Sequence, residues 1–304
     1  MGSPFQIILY SKDRISAQQI AAKAYKLIDS LNLIFSDYEV ESELNKLSQT
    51  AGKNSCVQVS PLLYDLLRKS RNAWQLSERK FDITVGTLSK LWRDARRTGQ
   101  FPNDSLIQAA KARTGMQYVL MDSTKHSIQL TLHGMQLDMG GIAKGFIAQY
   151  VLDFLTENGF PMSLTNAGGD ISFGDAPPGK DGWSVAVSIP VRDQVLPTNL
   201  ILKNQSIATS GNMYQFLEHN GRKYSHEIDP QTGYGIQSQR SVTVISSDGA
   251  LSDWLATACS VLSIKKSKKL ADQLGAELLI LEIRKGKLYH YHSKGFPVLW
   301  QKNK

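Results

Sequence analysis

Hydrophobic and polar positions change period several times along this 304-residue chain. Residues 5–10 alternate loosely and predict a first strand. Ser16-Ala17-Gln18-Gln19 then reads as a capping box, in which Ser16 accepts from the backbone and Gln19 reaches back. Ile20, Ala24, Leu27, Ile28, Leu31 and Ile34 follow at helical spacing, predicting an amphipathic helix over residues 17–35. Residues 41–47 read as a short polar turn or helix. Ser60-Pro61 marks another helix start, with Ser as N-cap and Pro in the first helical position, and Leu63, Leu66, Leu67, Ser70, Ala73 and Trp74 carry it into residues 81–86. A third helix is expected over residues 104–113, stopped at Gly115.

Residues 118–121, 127–132 and 135–138 read as short strands. Gly141 opens a helix with an inner face of Ile142, Phe146, Ile147, Tyr150, Val151 and Phe154, and Gly159 closes it. Strand-like runs follow at residues 162–165, 170–173, 183–189, 199–208 and, most apolar, 241–245. A helix over residues 251–262, a charged helix and a hairpin of residues 277–283 with 287–292 complete the pattern. Residues 174–182 read as a surface loop. Strands and helices mix without regular βαβ alternation, so the expected class is α+β, with mixed, largely antiparallel sheets packed with helices.

Composition changes this picture little. No apolar run approaches the ~18 residues of a membrane span, and Met1-Gly2-Ser3-Pro4-Phe5 lacks the basic start and apolar stretch of a signal peptide. The formal charge of +8 is compatible with nucleic acid, an anionic membrane surface or a phosphate-bearing ligand. Its two dense clusters, Lys265-Lys266-Ser267-Lys268-Lys269 and Arg93-Asp94-Ala95-Arg96-Arg97, interleave no aromatics, so nucleic-acid binding is not expected. Cys56 and Cys259 read as buried free thiols without metal spacing.

Several segments carry candidate chemistry. Asp138-Met139-Gly140-Gly141-Ile142-Ala143-Lys144-Gly145 places paired glycines between a strand and a helix. A backbone can approach a ligand there, and a helix N-terminus favours phosphate. The same segment also reads as a tight turn with an exposed lysine. Asn166-Ala167-Gly168-Gly169-Asp170 and Thr209-Ser210-Gly211-Asn212 are further glycine turns. Asp253 and Thr257 stand four apart on one helical face, as two hard oxygen ligands for Mg²⁺ or as a helix-start acid and a core threonine. His226, before Ile228-Asp229-Pro230-Gln231-Thr232-Gly233, is the best general-base candidate among six histidines. His290 and His292 share one face of the last strand and read as a surface feature.

Together these segments resemble the FAD:protein FMN transferases of the ApbE family, formerly described as thiamine-biosynthesis lipoproteins. The resemblance runs in order through Met1–Phe5, Phe35-Ser36-Asp37-Tyr38 with Glu41–Asn45, Phe81-Asp82-Ile83-Thr84-Val85-Gly86 with Leu91-Trp92, and Leu137–Gly145. It continues through Asn166–Asp170, Thr209-Ser210-Gly211, His226–Gly233, and Asp253 with Thr257. It implies an α+β, T-fold-related architecture over residues 1–304, as one domain or two closely packed subdomains. Carried over residue by residue, it implies flavin-dinucleotide contacts at Met1, Tyr38, Lys80, Phe81, Asp82, Asp138, Lys144 and Ile228. It implies magnesium held by Asp253, Thr257 and the carbonyl of Ala143, and catalysis by His226.

The implied reaction moves FMN from FAD to a Thr or Ser hydroxyl of an acceptor flavoprotein, such as a redox-pump or respiratory subunit, and releases AMP. Hydrolysis of FAD to FMN and AMP, or FAD binding without turnover, would use the same residues. The family implies a periplasmic, lipid-anchored protein in full-length form, or a cytoplasmic one if no leader exists, with no other membrane contact. Gly235 stands where the family more often has Pro, with an expected effect on turn stiffness only. Asp248-Gly249-Ala250-Leu251 lacks the hydroxyl of the family's acceptor motif, so self-flavinylation is not expected.

Overall fold

The alternating residues Phe5–Leu9 form strand β1, and the amphipathic run after them forms helix α1, Arg14–Phe35. The structure, a computed structural model, describes residues 3–189, 194–195, 199–211 and 216–296. After α1 come α2 (Glu43–Ser48), β2 (Val57–Gln58), α3 (Pro61–Leu76), α4 (Gly86–Thr98), α5 (Asp104–Lys111), β3 (Val119–Asp122), β4 (Ser127–Leu130) and α6 (Ala143–Glu157). Strands β5 (Ser163–Ala167), β6 (Asp170–Phe173), β7 (Trp183–Val185), β8 (Ser188–Ile189), β9 (Gln194–Val195), β10 (Leu200–Leu202) and β11 (Gln205–Gly211) follow. Then β12 (Phe216–His219), β13 (Arg222–Ser225) and β14 (Gln239–Ser246) lead to α7 (Gly249–Val261) and α8 (Ile264–Gln273). The hairpin of β15 (Glu277–Arg284) and β16 (Lys287–His292) closes the series.

The fold is α+β, and the chain divides into two compact units. The first holds Met1–Ser30, Ile142–Gly211 and Gln239–Lys304; the second holds Leu31–Gly141 and Asn212–Ser238. The first unit is built on a seven-stranded antiparallel sheet, ordered β1-β5-β6-β11-β14-β15-β16. Period-two alternation sends its side chains to two faces. One face meets the helices: Thr165 Oγ1 donates to the Ala148 carbonyl of α6 at 2.7 Å, and Ser252 Oγ of α7 donates to the Ser206 carbonyl at 3.1 Å. On the other face Leu164, Phe173, Ile207 and Leu279 bury against Trp183 and Leu200 of the β7–β10 ribbon. Each such side chain contributes about 1.5–3 kcal/mol on burial, which makes this sheet the rigid support of its helices.

Helices α6 and α7 cross at two glycines. A Cβ on Gly145 would stand 2.1 Å from the Gly249 carbonyl oxygen, and one on Gly249 would stand 2.3 Å from that of Gly145. Only hydrogen fits, so the first turns of both helices meet.

In the second unit Trp92 of α4 is buried with Leu88, Ile107, Leu217 and Tyr224. Its Nε1 donates to the Gly233 carbonyl at 2.8 Å, and its ring stacks on Tyr224 with centroids 5.8 Å apart. The β12–β13 hairpin and the turn after His226 are thereby fixed to one helix.

Several expectations change. Helix α1 starts at Arg14, because Asp13 caps it: Oδ1 accepts the Ile15 N–H at 2.9 Å, and the Ser16 hydroxyl donates to Oδ2. Ser16 therefore lies inside the helix as a donor. Helix α3 ends at Leu76, short of residues 81–86, because Glu78 and Arg79 turn the chain at φ of 55° and 68°, and α4 occupies a stretch for which no element is expected. The expected strand over residues 135–138 reduces to one bridge between Gln136 and Val85. The run 199–208 breaks at Asn204, whose φ of 51° turns the chain between β10 and β11. On α6 the buried face includes Ala148, Leu152 and Leu155 in place of Tyr150 and Phe154. Cys56 is exposed; Cys259 alone is a buried thiol. No helix among the described residues is long and apolar enough to cross a membrane.

Candidate active site

Helix α6 begins at Ala143 without a side-chain cap from Ile142, the residue at its N-cap position. The cap comes instead from α7, where Asp253 Oδ2 accepts the Gly145 N–H at 3.0 Å. Asp253 is buried at the glycine crossing. Burial, reinforced by the charge of Asp170, pushes its carboxyl up to about 8, against the pull of Lys144. Thr257 is half-buried one turn further along the same face of α7.

Asp170 reaches this place through the β5–β6 turn. Gly168 and Gly169 take φ of 68° and 109°, and the Gly169 N–H donates to Asn166 Oδ1 at 2.8 Å. That turn sets Asp170 first in β6, buried, with Lys144 Nζ 2.5 Å from its Oδ2. Burial raises the Asp170 carboxyl against the Lys144 charge. Burial alone would lower the Lys144 ammonium, but Asp253 and Asp170 outweigh it and hold the lysine protonated. The charge expected to meet a diphosphate is thus already shared by two carboxylates. Asp170 stands in one of the glycine turns, yet nothing local in its sequence marks it as the partner of Lys144.

These residues fit a small hard cation. Lys144 answers the charge of Asp170, burial holds a proton on Asp253 up to about pH 8, and a cation that displaced this proton would be answered by the second carboxylate; oxygen donors of Asp253, Thr257 and Ala143 belong to neighbouring helical turns. Among the described residues no group of three or more His, Cys, Asp or Glu is arranged to hold a metal. Two side-chain oxygens and one carbonyl would leave further positions of a hard cation to waters or substrate oxygens.

The second unit brings together another group. Tyr38 is 63% exposed, with the Arg93 guanidinium 4.2 Å from its ring centroid. Arg93 Nη2 also lies 2.7 Å from Asp37 Oδ2 and 3.9 Å from Asp138 Oδ2. Burial, followed by repulsion from Asp138, raises the Asp37 carboxyl, while Arg93 opposes the shift. Asp138 Oδ1 accepts the Gly140 N–H at 2.8 Å, which shapes the glycine turn. Asp37 and Arg93 join the expected Tyr38 and Asp138 only through this folding.

Lys80 Nζ forms an ion pair with Asp229, 2.8 Å from Oδ2 and 3.0 Å from Oδ1. Asp229 also accepts the Gly233 N–H at its carbonyl, 2.8 Å away, so it both forms the turn and holds the lysine. Phe81 is buried, and Asp82 spends its Oδ1 on the N–H and hydroxyl of Thr84, at 2.8 and 2.6 Å. His226 is half-buried immediately after β13, beside the buried Glu227. Ile228 pairs with Gly235 and packs on the Trp92 core. The Ser225 N–H donates to Ile236 at 3.0 Å and the Ile236 N–H donates to Glu227 at 2.9 Å, which closes a narrow loop around His226. A Cβ at Gly235 would lie 2.4 Å from the Ser225 carbonyl oxygen. Gly235 therefore permits a close approach, a larger role than the expected change of stiffness. Met1 lies outside the described residues.

A sequence model of the ApbE family matches residues 1–280. An FAD:protein FMN transferase of Klebsiella pneumoniae (strain 342) is 32% identical over 269 residues, spanning 88% of this chain and 81% of that protein. The crystal structure of an ApbE protein from Thermotoga maritima superposes with a TM-score of 0.87 at 27% identity, covering 100% of this chain and 97% of that one. The flavinyl transferase ApbE of Pseudomonas stutzeri, in its apo form, gives a TM-score of 0.85 at 26% identity over 99% of this chain and 94% of that one.

Proposed function

This chain belongs to the ApbE family, and from that premise we propose that it transfers FMN from FAD to a Thr or Ser hydroxyl of an acceptor protein, with Mg²⁺ bound and AMP released. The observation that carries the reading is the buried group Lys144, Asp170 and Asp253 at the start of α6. An excess of buried carboxylate beside a helix N-terminus suits a metal–diphosphate ligand, because each charge there is answered by another.

In the transfer, the acceptor hydroxyl oxygen forms a bond to the FMN-side phosphorus of FAD, and the bond from that phosphorus to the oxygen of the AMP phosphate breaks. The hydroxyl proton passes to a base, and AMP leaves with the bonding pair. His226, half-buried at the end of β13, is the group that takes the proton or holds the hydroxyl. Asp253, Thr257 and the Ala143 carbonyl would hold Mg²⁺, which would offset charge developing on the diphosphate. Asp170 keeps Lys144 charged and fixed in the first turn of α6, where the helix dipole adds a partial positive charge. Tyr38 offers one exposed ring face, backed by Arg93, for stacking a ligand ring. The Lys80–Asp229 pair positions the loop that carries His226 and Ile228.

The test is incubation with FAD, Mg²⁺ and an acceptor domain that an authenticated enzyme flavinylates. A fluorescent acceptor band on a denaturing gel, with AMP formed in equal amount, is the expected result. AMP and FMN formed without acceptor would make the protein an FAD hydrolase instead. Absence of both products would defeat the reading.

A further inference from the structure

The basic run from Lys265 to Lys269 takes no part in the reaction above. It folds as the opening turns of α8, where the spacing gathers Lys265, Lys268 and Lys269 on one face. None of these three lysines makes an ion pair among the described residues. With Ile264, Gln273 and Tyr291 of β16 they line an open groove of about 820 Å³. Arg284 lies on the same hairpin, its guanidinium 5.9 Å from the ring centroids of Tyr289 and Tyr291. Asp272 is the one acidic side chain in the lining.

Like charges at i and i+4 repel along a helix, and Asp272, i+4 from Lys268 and i+3 from Lys269, offsets only part of the charge of the three lysines. An anionic partner would relieve that repulsion. Shape narrows the partner. A bilayer presents a broad anionic surface, whereas this lining is a shallow recess between α8 and β16, the size of a short run of chain. Tyr291 is the one aromatic residue in the lining, so successive bases find no pair of rings there to stack on.

We propose that the α8–β16 groove docks an acidic segment of the acceptor protein, outside the Lys144–Asp170–Asp253 group. The identity of that partner rests on the transferase reading. Docking of this kind raises the rate of productive encounter, and salt screens it.

The test compares wild type with the triple variant Lys265→Glu/Lys268→Glu/Lys269→Glu and a Lys→Gln triple variant. We expect kcat/KM for the acceptor to fall by about tenfold or more with Glu and by less with Gln. The wild-type salt dependence should flatten in both variants, while KM for FAD and thermal stability stay unchanged. A fluorescein-labelled, Glu-rich decapeptide should bind wild type in low salt and not the Glu variant. Unchanged acceptor kinetics, or an equal change in KM for FAD, would overturn the proposal. So would loss of phosphatidylglycerol vesicle binding with normal acceptor kinetics, which would assign the face to a membrane. If wild type flavinylates no acceptor, the transferase reading fails, and the decapeptide result still decides whether the groove binds acidic chain.

Discussion

Asp253 caps a helix other than its own: its Oδ2 accepts the Gly145 N–H at the start of α6, 3.0 Å away. One carboxyl group thus joins two helices at a place where burial disfavours its charged form. Asparagine keeps an acceptor oxygen but removes the charge. Burial penalises the ionised form, and Asp170 adds repulsion. We therefore expect Asp253→Asn to fold with a Tm at or above that of wild type. Its transferase activity should fall by at least about 100-fold, the upper end of losses seen when groups that merely orient a metal ligand are removed. Melting and activity measured on the same preparation decide the matter. A Tm that drops together with activity would leave Asp253 a structural role alone.

The same crossing gives a packing prediction. Gly145→Ala places a methyl 2.1 Å from the Gly249 carbonyl and 2.8 Å from Asp253 Cβ. The helices must separate, at a cost of about 1–3 kcal/mol by the usual scale of overpacking. Chemical denaturation should show that loss. Activity should fall further than stability explains, because the methyl pushes directly on Asp253.

Much of this architecture was legible in local pattern, and the remainder had no local signal. The apolar run at β14 and the final hairpin are visible because period-two alternation beside turn residues is a short-range property. Helix α4 is hidden although Leu88, Leu91, Trp92 and Ala95 keep helical spacing. Val85 offers no capping side chain, and the charges of residues 93–97 dominate the stretch. The site divides in the same way. Asp253, Thr257 and His226 stand in recognisable motifs, but Lys144–Asp170, Arg93–Asp37 and Lys80–Asp229 join residues 26, 56 and 149 positions apart. Such pairs are products of chain packing, and no periodicity encodes them.

Gly235 tests how tightly the His226 loop is drawn. Its hydrogen faces the Ser225 carbonyl, and a Cβ would sit 2.4 Å from that oxygen and 3.1 Å from the Ser225 nitrogen. Gly235→Ala should open the loop and displace His226. We expect a reduced kcat with nearly unchanged affinity for FAD, measured by quenching of flavin fluorescence. Equal kcat in the two proteins would show that the loop absorbs the methyl.

The two cysteines should separate by reactivity. Cys56 is exposed, whereas burial pushes the Cys259 thiol up to about 12. A maleimide reagent at pH 8 should add to one thiol in the native protein and to two after denaturation, counted by mass spectrometry. The same shift carries a stability consequence. Above pH 9, the thiol's ordinary value, an unfolded chain releases the Cys259 proton while the folded chain keeps it until about pH 12. The unfolded state then binds fewer protons, so stability falls as pH rises through that window. Cys259→Ala should show a shallower alkaline decline.

Arg96 gives the opposite kind of test, a substitution expected to stabilise. Its Nη1 is buried without a hydrogen-bond partner among the described residues. Burial, with repulsion from Arg93 one turn away, lowers the guanidinium pKa. Arg93 is satisfied by Asp37, but Arg96 has no matching carboxylate in that group. A buried donor without an acceptor costs about 1–3 kcal/mol, and the low end applies to a side chain that is only half-buried. Methionine keeps the length and apolar stem while removing the donor and the charge. Arg96→Met should therefore raise Tm by roughly 2 °C or more in a protein of this size. The Arg93–Asp37 pair would remain, so binding of FAD should not change. A lower Tm would mean that Arg96 stabilises the fold through its charge.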